Sequence, residues 1–248
     1  MSWESLVEQM GASRRLAPSS LSFYRGSVRI FSRHFPGLGP LEVQENHLTE
    51  FFLAQKKAPT VSENTAGMRL RALLTVLRWA QRRGLLLINP GQDLRAPKGP
   101  RPLPPILSRE QVRALLEAPL GCKRIMIRYR DRALLELLYA NGMRAGEVSA
   151  LNLDDLDLPG ALVKIRGGKG KPRCSPLNGP SVDSLRAYLE ESRPAVAEPG
   201  EQALFLTMTG LRMSAKNLSS QLHRYGQMLG ISGVTPHALR RALATHLL

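Results

Sequence analysis

A proline-rich segment, APKGPRPLPP, interrupts the chain at residues 96–105. Proline removes a backbone donor and fixes φ, so this segment can form neither a helix nor a central strand. A chain of 248 residues is longer than one small core requires. We therefore predict a linker at residues 96–106 between two domains, at residues 1–95 and 107–248.

Both sides of this segment are strongly basic. The chain carries a formal charge of +15 at pH 7, divided as 13 basic minus 7 acidic residues (+6) over 1–95 and 22 minus 13 (+9) over 96–248. Such a charge favours an acidic polymer as the partner, and two basic domains on a tether suggest a clamp around duplex DNA. On charge alone, a generally basic soluble protein remains an alternative.

The first part reads as helices only. The longest, predicted from Asn64 to Arg83, has an apolar stripe and, on another face, the basic residues Arg71, Arg78 and Arg82. That basic stripe could follow a phosphate backbone, although a solvated helix face explains it equally well.

The second part mixes helices with one hairpin. Ala161 to Arg166 alternates apolar and polar residues, Gly167-Gly168 turns the chain past Lys169, and residues 172–177 return. The expected fold is therefore mainly α, of the α+β type, with a small antiparallel sheet in the second domain.

An arginine is held at the centre of the second part. In DRALLELLYANGMRAGEVSALNLDD, residues 131–155, an apolar helix is stopped by Asn141-Gly142 and a second helix begins near Arg144. Glu147 lies three residues further along, on the same face, where it can orient the guanidinium. A surface ion pair is the alternative.

The final stretch supplies two more candidates. In TPHALRRALATHLL, Thr235 is a suitable N-cap and Pro236 suits the first helical position, so His237 falls in the first turn. With Arg240, Arg144 and Lys169 it would form a site for a tetrahedral oxyanion, since guanidinium groups and free helix amides both bind phosphate oxygens. No carboxylate cluster or histidine spacing suggests a metal site.

Three segments, ANGMRAGEVSALNLDDLD, GGKGKPRCSPL and TPHALRRALATHLL, resemble in order the signature blocks of tyrosine recombinases. The resemblance is greatest to the Xer-type site-specific recombinases and to phage and integron integrases. It implies a SAM-like helical core-binding domain at residues 1–95 and a catalytic domain at 107–248. It also implies double-stranded DNA and further recombinase protomers, in a tetrameric synapse, as partners.

The resemblance assigns roles to the candidates. Arg144 matches the first catalytic arginine with Glu147 as its supporting carboxylate, Lys169 matches the hairpin lysine, and His237 and Arg240 match the His-x-x-Arg pair. In this family a tyrosine attacks a DNA phosphate to form a 3′-phosphotyrosyl link, without metal or cofactor. Further DNA contacts are expected from six basic residues: Arg71, Arg78, Arg82, Lys171, Arg173 and Arg241.

The most serious departure of the sequence from the family lies beyond the His-x-x-Arg pair. The family places a further His or Trp, and then the nucleophilic tyrosine, beyond the His-x-x-Arg pair, whereas all five tyrosines here precede His237. The expectation is a recombinase that lacks its C-terminal segment and binds DNA without cleaving it alone. A non-catalytic DNA-binding remnant or regulator, and a type IB topoisomerase-like enzyme, remain alternatives.

The sequence also bears on location. Cys122 and Cys174 show no zinc or disulfide spacing, the N-terminus has no signal-peptide pattern, and no run of about 18 apolar residues occurs. We expect a cytoplasmic protein with no membrane partner.

Overall fold

The computed structural model describes residues 1–97, 106–166 and 172–247. The chain folds as two compact units, Met1–Pro102 and Leu103–Leu248. Most of the predicted linker, with residues 98–105, lies outside the described residues, as does the predicted hairpin tip at 167–171.

Four helices form the described part of the first unit: α1 Trp3–Arg14, α2 Pro18–His34, α3 Glu45–Lys57 and α4 Glu63–Arg82. Ser2 and Ser62 cap α1 and α4, because each side chain accepts a bond from a backbone N–H three residues on. The apolar faces meet around α4 and an edge-to-face aromatic cluster, in which the Phe31 ring lies 5.2 Å from those of both Trp3 and Phe51.

The second unit combines six helices with a small sheet in its described residues. The helices are α5 Arg109–Glu117, α6 Ile125–Ala140, α7 Ala145–Ser149, α8 Gly179–Glu191, α9 Ala215–Met228 and α10 Pro236–His246. Short 3-10 turns occur at Ala118–Gly121, Leu153–Asp155 and Arg193–Ala195. The core lies around α6, whose leucines Leu134, Leu135, Leu137 and Leu138 are almost completely buried.

The sheet is antiparallel, with the order β1-β2-β3. It consists of β1 Leu156–Asp157, β2 Leu162–Ile165 and β3 Arg173–Pro176, with Val163 opposite Ser175. Val163 and Ile165 are buried on one face of β2, while Leu162 and Lys164 are exposed on the other, because side chains alternate along a strand. A mainly helical fold with a small antiparallel sheet was predicted, and it is confirmed; β1 was not foreseen.

No helix among the described residues is long and apolar enough to cross a membrane.

Candidate functional site

Arg144 stands at the entry to α7, where the chain leaves α6. Gly142 adopts a positive φ of 54° at this turn, a conformation that glycine reaches without strain. Arg144 is the N-cap of α7, and Glu147 reaches back to it: Oε2 accepts from the Arg144 backbone N–H at 2.9 Å and Oε1 accepts from Arg144 Nη1 at 2.9 Å. The predicted pair therefore forms, with its carboxylate buried and its guanidinium more than half exposed.

A second arginine binds the same carboxylate. Arg173 of β3 donates from Nη1 to Glu147 Oε1 at 3.1 Å and from Nη2 to Oε2 at 3.0 Å. Burial alone would raise the pKa of Glu147, but the bonds from Arg173 and Arg144 outweigh it and lower the pKa to about 2. Glu147 therefore stays ionised at every pH at which the protein would normally be studied.

This depressed pKa makes part of the stability acid-sensitive. Since the folded-state pKa of about 2 lies below the ordinary 4.5, the contribution is complete above pH 4.5 and is lost as the pH falls toward 2. It amounts to about 3 kcal/mol, at 1.36 kcal/mol for each pH unit between the two values. Glu147→Gln should lack this pH-dependent contribution. The free energies of unfolding of the two proteins, measured by chemical denaturation, should therefore differ most near neutral pH and converge near pH 2. An equal difference at both pH values would contradict the assignment.

Arg240 and His237 approach Arg144 from the end of the second unit. The Thr235 hydroxyl caps α10 by accepting from the Ala238 N–H at 3.1 Å, as expected for this residue type. Arg240 Nη1 donates to the Gly142 carbonyl at 2.5 Å, which ties α10 to the turn before Arg144. His237, in the first turn, is exposed.

The structure brings three of the four predicted anion-site residues to one cleft. This cleft, of about 250 Å³, is lined by Met143, Arg144, Ala145, Ser219, Thr235, Pro236, His237 and Arg240. Lys169, the fourth, and Lys171 lie outside the described residues. Ser219 was missed because a serine within α9, bonded to the Ala215 carbonyl at 2.8 Å, carries no signal in the sequence.

The other predicted DNA contacts differ in their surroundings. Arg78 and Arg82 are exposed on α4 and make no recorded side-chain bond or ion pair within the described residues. Arg71 is half-buried, and its guanidinium donates to the Gly67 and Pro97 carbonyls. Arg241 is half-buried on α10, and its Nε has no partner among the described residues.

No tyrosine of the second unit is among the residues that line this cleft in the described part of the chain. Tyr188 donates to the Leu204 carbonyl, Tyr225 donates to Asp131 and Tyr139 bonds His246 Nδ1 at 2.9 Å. Burial beside Asp131 raises the pKa of Tyr225. Tyr24 and Tyr129 pack, half-buried, against the two cores.

The described residues contain no group of three or more His, Cys, Asp or Glu that could hold a metal ion. Cys122 and Cys174 are free thiols. In the described part of the chain, Arg144 and Arg240 are the two arginines that line the cleft.

Comparison with known proteins identifies the class to which this fold and cleft belong. A model of the phage integrase family matches residues 105–248. The chain belongs to this family, that of the tyrosine recombinases, and the resemblance seen in the sequence is confirmed.

Its relatives include Xer proteins. Tyrosine recombinase XerD of Mycobacterium tuberculosis (strain ATCC 25618 / H37Rv) is 34% identical over 259 residues, which cover 99% of this chain and 83% of the relative. Tyrosine recombinase XerC of Chlamydia muridarum (strain MoPn / Nigg) is 36% identical over 196 residues, covering 79% of this chain and 62% of the relative.

Solved structures show the same fold. The Tn1549 transposon integrase in complex with transposon right end DNA superposes with a TM-score of 0.79 at 19% identity, covering 100% of this chain and 86% of that one. A lambda integrase tetramer bound to a Holliday junction gives 0.75 at 17% identity, covering 98% and 71%.

Proposed function

We propose that this chain is a site-specific DNA recombinase whose cleft between α7 and α10 holds a phosphate of duplex DNA. The observation that carries the proposal is the meeting of Arg144, His237 and Arg240 in one cleft, although 93 residues separate the first two in sequence. Two guanidinium groups and an imidazole match the oxygens of a phosphodiester. The Xer relatives and the DNA-bound integrases support the substrate class.

Within this proposal, each side chain has a task at the phosphate. Arg144 and Arg240 bind the non-bridging oxygens and stabilise the charge that develops as an attacking oxygen forms its bond to phosphorus. His237 assists proton transfer, and Lys169 protonates the departing 5′ oxygen, in place of a metal ion. The attacking group is a tyrosine hydroxyl, whose ester with the DNA 3′ end conserves the bond energy for rejoining.

We assign residues 1–95 as the core-binding domain and 107–248 as the catalytic domain, joined by the linker at 96–106. Both carry positive charge, and exposed Arg78 and Arg82 on α4 suit phosphate contacts. The tetramer of the lambda integrase structure supports assembly with further protomers on DNA.

The tyrosines favour a second candidate for these 248 residues taken alone. Since no described tyrosine lines the cleft, the chain would occupy a recombination site without cutting it, as a DNA-binding regulator does. The two candidates differ in cleavage and share DNA binding.

The first test is the salt dependence of duplex binding. We expect the logarithm of the association constant for a fluorescent duplex to fall steeply with the logarithm of salt concentration, by about 0.9 for each phosphate neutralised. Replacing both Arg78 and Arg82 by Gln should reduce the slope by about 1.8. Fluorescence anisotropy over a salt series measures it.

Arg25→Gln is the matched control, because Arg25 is also exposed in the first unit but already bonds Glu8 at 2.7 Å. It should leave the slope nearly unchanged. A slope near zero for the unmodified chain would rule out phosphate-dominated binding, and equal slopes for all three proteins would remove α4 from the interface.

A further inference from the structure

Arg173 binds a partner that the sequence did not predict. It was expected to touch DNA, but both of its terminal nitrogens bind Glu147. Glu147 thus accepts four bonds, two from Arg173 and two from Arg144, while its side chain is only 2% exposed. A buried carboxylate with this number of donors is fixed in orientation.

The cluster of Arg144, Arg173 and Glu147 contains more positive than negative charge. Two guanidinium groups share one carboxylate, so the group of three carries a net positive charge. In the described residues, the Arg144 guanidinium makes one bond, from Nη1 to Glu147, although the group has five N–H donors. Arg144 therefore keeps donors for an anion in the cleft, whereas Arg173 has used its forked end.

We propose that Arg173 is a positioning residue for Arg144, acting through Glu147; this inference rests on the proposed function of the cleft. By binding both carboxylate oxygens, Arg173 limits Arg144 to one side-chain bond and keeps its remaining donors available for phosphate. Without Arg173, the buried carboxylate would lose half of its donors and draw the Arg144 guanidinium into a two-point pair. Phosphate would then bind a less available and differently oriented arginine.

A double-mutant cycle separates this role from direct DNA contact. The probe is a fluorescent duplex obtained by selection for binding to the unmodified chain. We expect Arg173→Ala to weaken binding of this duplex on the order of tenfold, within the usual range of coupling energies between neighbouring residues. In a protein that already carries Arg144→Ala, the same change should have little further effect. If the two substitutions together weaken binding by the product of their separate effects, Arg173 contacts DNA itself and the proposal is wrong. Unchanged affinity in Arg173→Ala alone would also overturn the proposal.

Arg166→Ala is the matched control. Arg166 also pairs from the end of a strand with a buried carboxylate, that of Asp155, but makes no recorded bond to Glu147. Its effect on binding should be the same with and without Arg144→Ala. Arg173→Lys, which keeps the charge but loses the fork, should recover part of the affinity.

A measurement without DNA keeps the inference distinct from the proposed function. Carbon-13 NMR titration, with the Glu147 signal assigned by its loss in Glu147→Gln, should show a rise of about 1 to 3 pH units in the Glu147 pKa on Arg173→Ala. Arg166→Ala should leave it unchanged. A Glu147 pKa unaffected by Arg173→Ala would refute the positioning role, whereas duplex binding that does not depend on Arg144 would instead refute the proposed function.

Discussion

A protein of these 248 residues is expected to bind duplex DNA and to form no covalent link with it. The cleft can stabilise a developing negative charge, yet stabilisation accelerates nothing without an oriented nucleophile. The hydroxyls of Tyr139, Tyr188 and Tyr225 are already bonded to His246, Leu204 and Asp131. A nicked suicide duplex, incubated with the protein and run on a denaturing gel, should show no slower band.

A tyrosine supplied beyond these residues should change that result. When a family-like segment bearing tyrosine is joined to the chain, or is contributed by a neighbouring protomer, an adduct should appear. Arg144→Ala in that protein should then lower the cleavage rate by about 10²- to 10³-fold, the usual effect of removing one donor to a transition-state oxyanion. Arg113→Ala is the control, because Arg113 is exposed and, among the described residues, pairs only with Glu117, at 3.3 Å.

Two results would contradict these expectations. An adduct formed by the 248 residues alone, and abolished by Tyr→Phe at one of the five tyrosines, would place the nucleophile within this chain. Cleavage that survives Arg144→Ala at an undiminished rate would remove this arginine from the chemistry.

Asp131→Ala should strongly destabilise the second unit. Asp131 is buried in α6 and accepts from Arg130 Nε at 2.8 Å and from the Tyr225 hydroxyl at 2.8 Å. Arg130, also buried, has one further recorded partner in the described residues, the Leu206 carbonyl at 3.1 Å. Removing the carboxylate leaves a buried guanidinium unpaired, which costs about 3–5 kcal/mol.

The measurement should distinguish the two units. Both tryptophans, Trp3 and Trp79, belong to the first unit, so their fluorescence follows that unit by itself. Denaturation should therefore be followed by circular dichroism, which also reports the helices of the second unit, where the loss of stability is expected. Tyr225→Phe, which removes one hydrogen bond but keeps the ion pair, should cost about 0.5–1.5 kcal/mol. Equal losses from the two variants would show that the charge pair is not the source of the effect.

The sequence by itself determined the local parts of this protein. Helical periodicity and a capping residue such as Thr235 located the helices, and strand alternation located the hairpin, since these depend on neighbours a few residues apart. The pairing of Arg144 with Glu147 was predicted for the same reason, because three residues on a helix return to one face. The four anion-site candidates were selected as basic residues at helix starts and a hairpin tip, and the resemblance then assigned their roles.

Only the tertiary structure decided which distant groups meet. Arg240 bonds the Gly142 carbonyl across 98 residues, Tyr225 bonds Asp131 across 94, and Arg173 reaches Glu147 across 26. A basic residue near a hairpin tip is compatible with either a DNA contact or an internal ion pair, so sequence favoured the former for Arg173. In the structure the Arg173 guanidinium reaches the buried carboxylate of Glu147, where a charge-assisted, two-point bond compensates for desolvation.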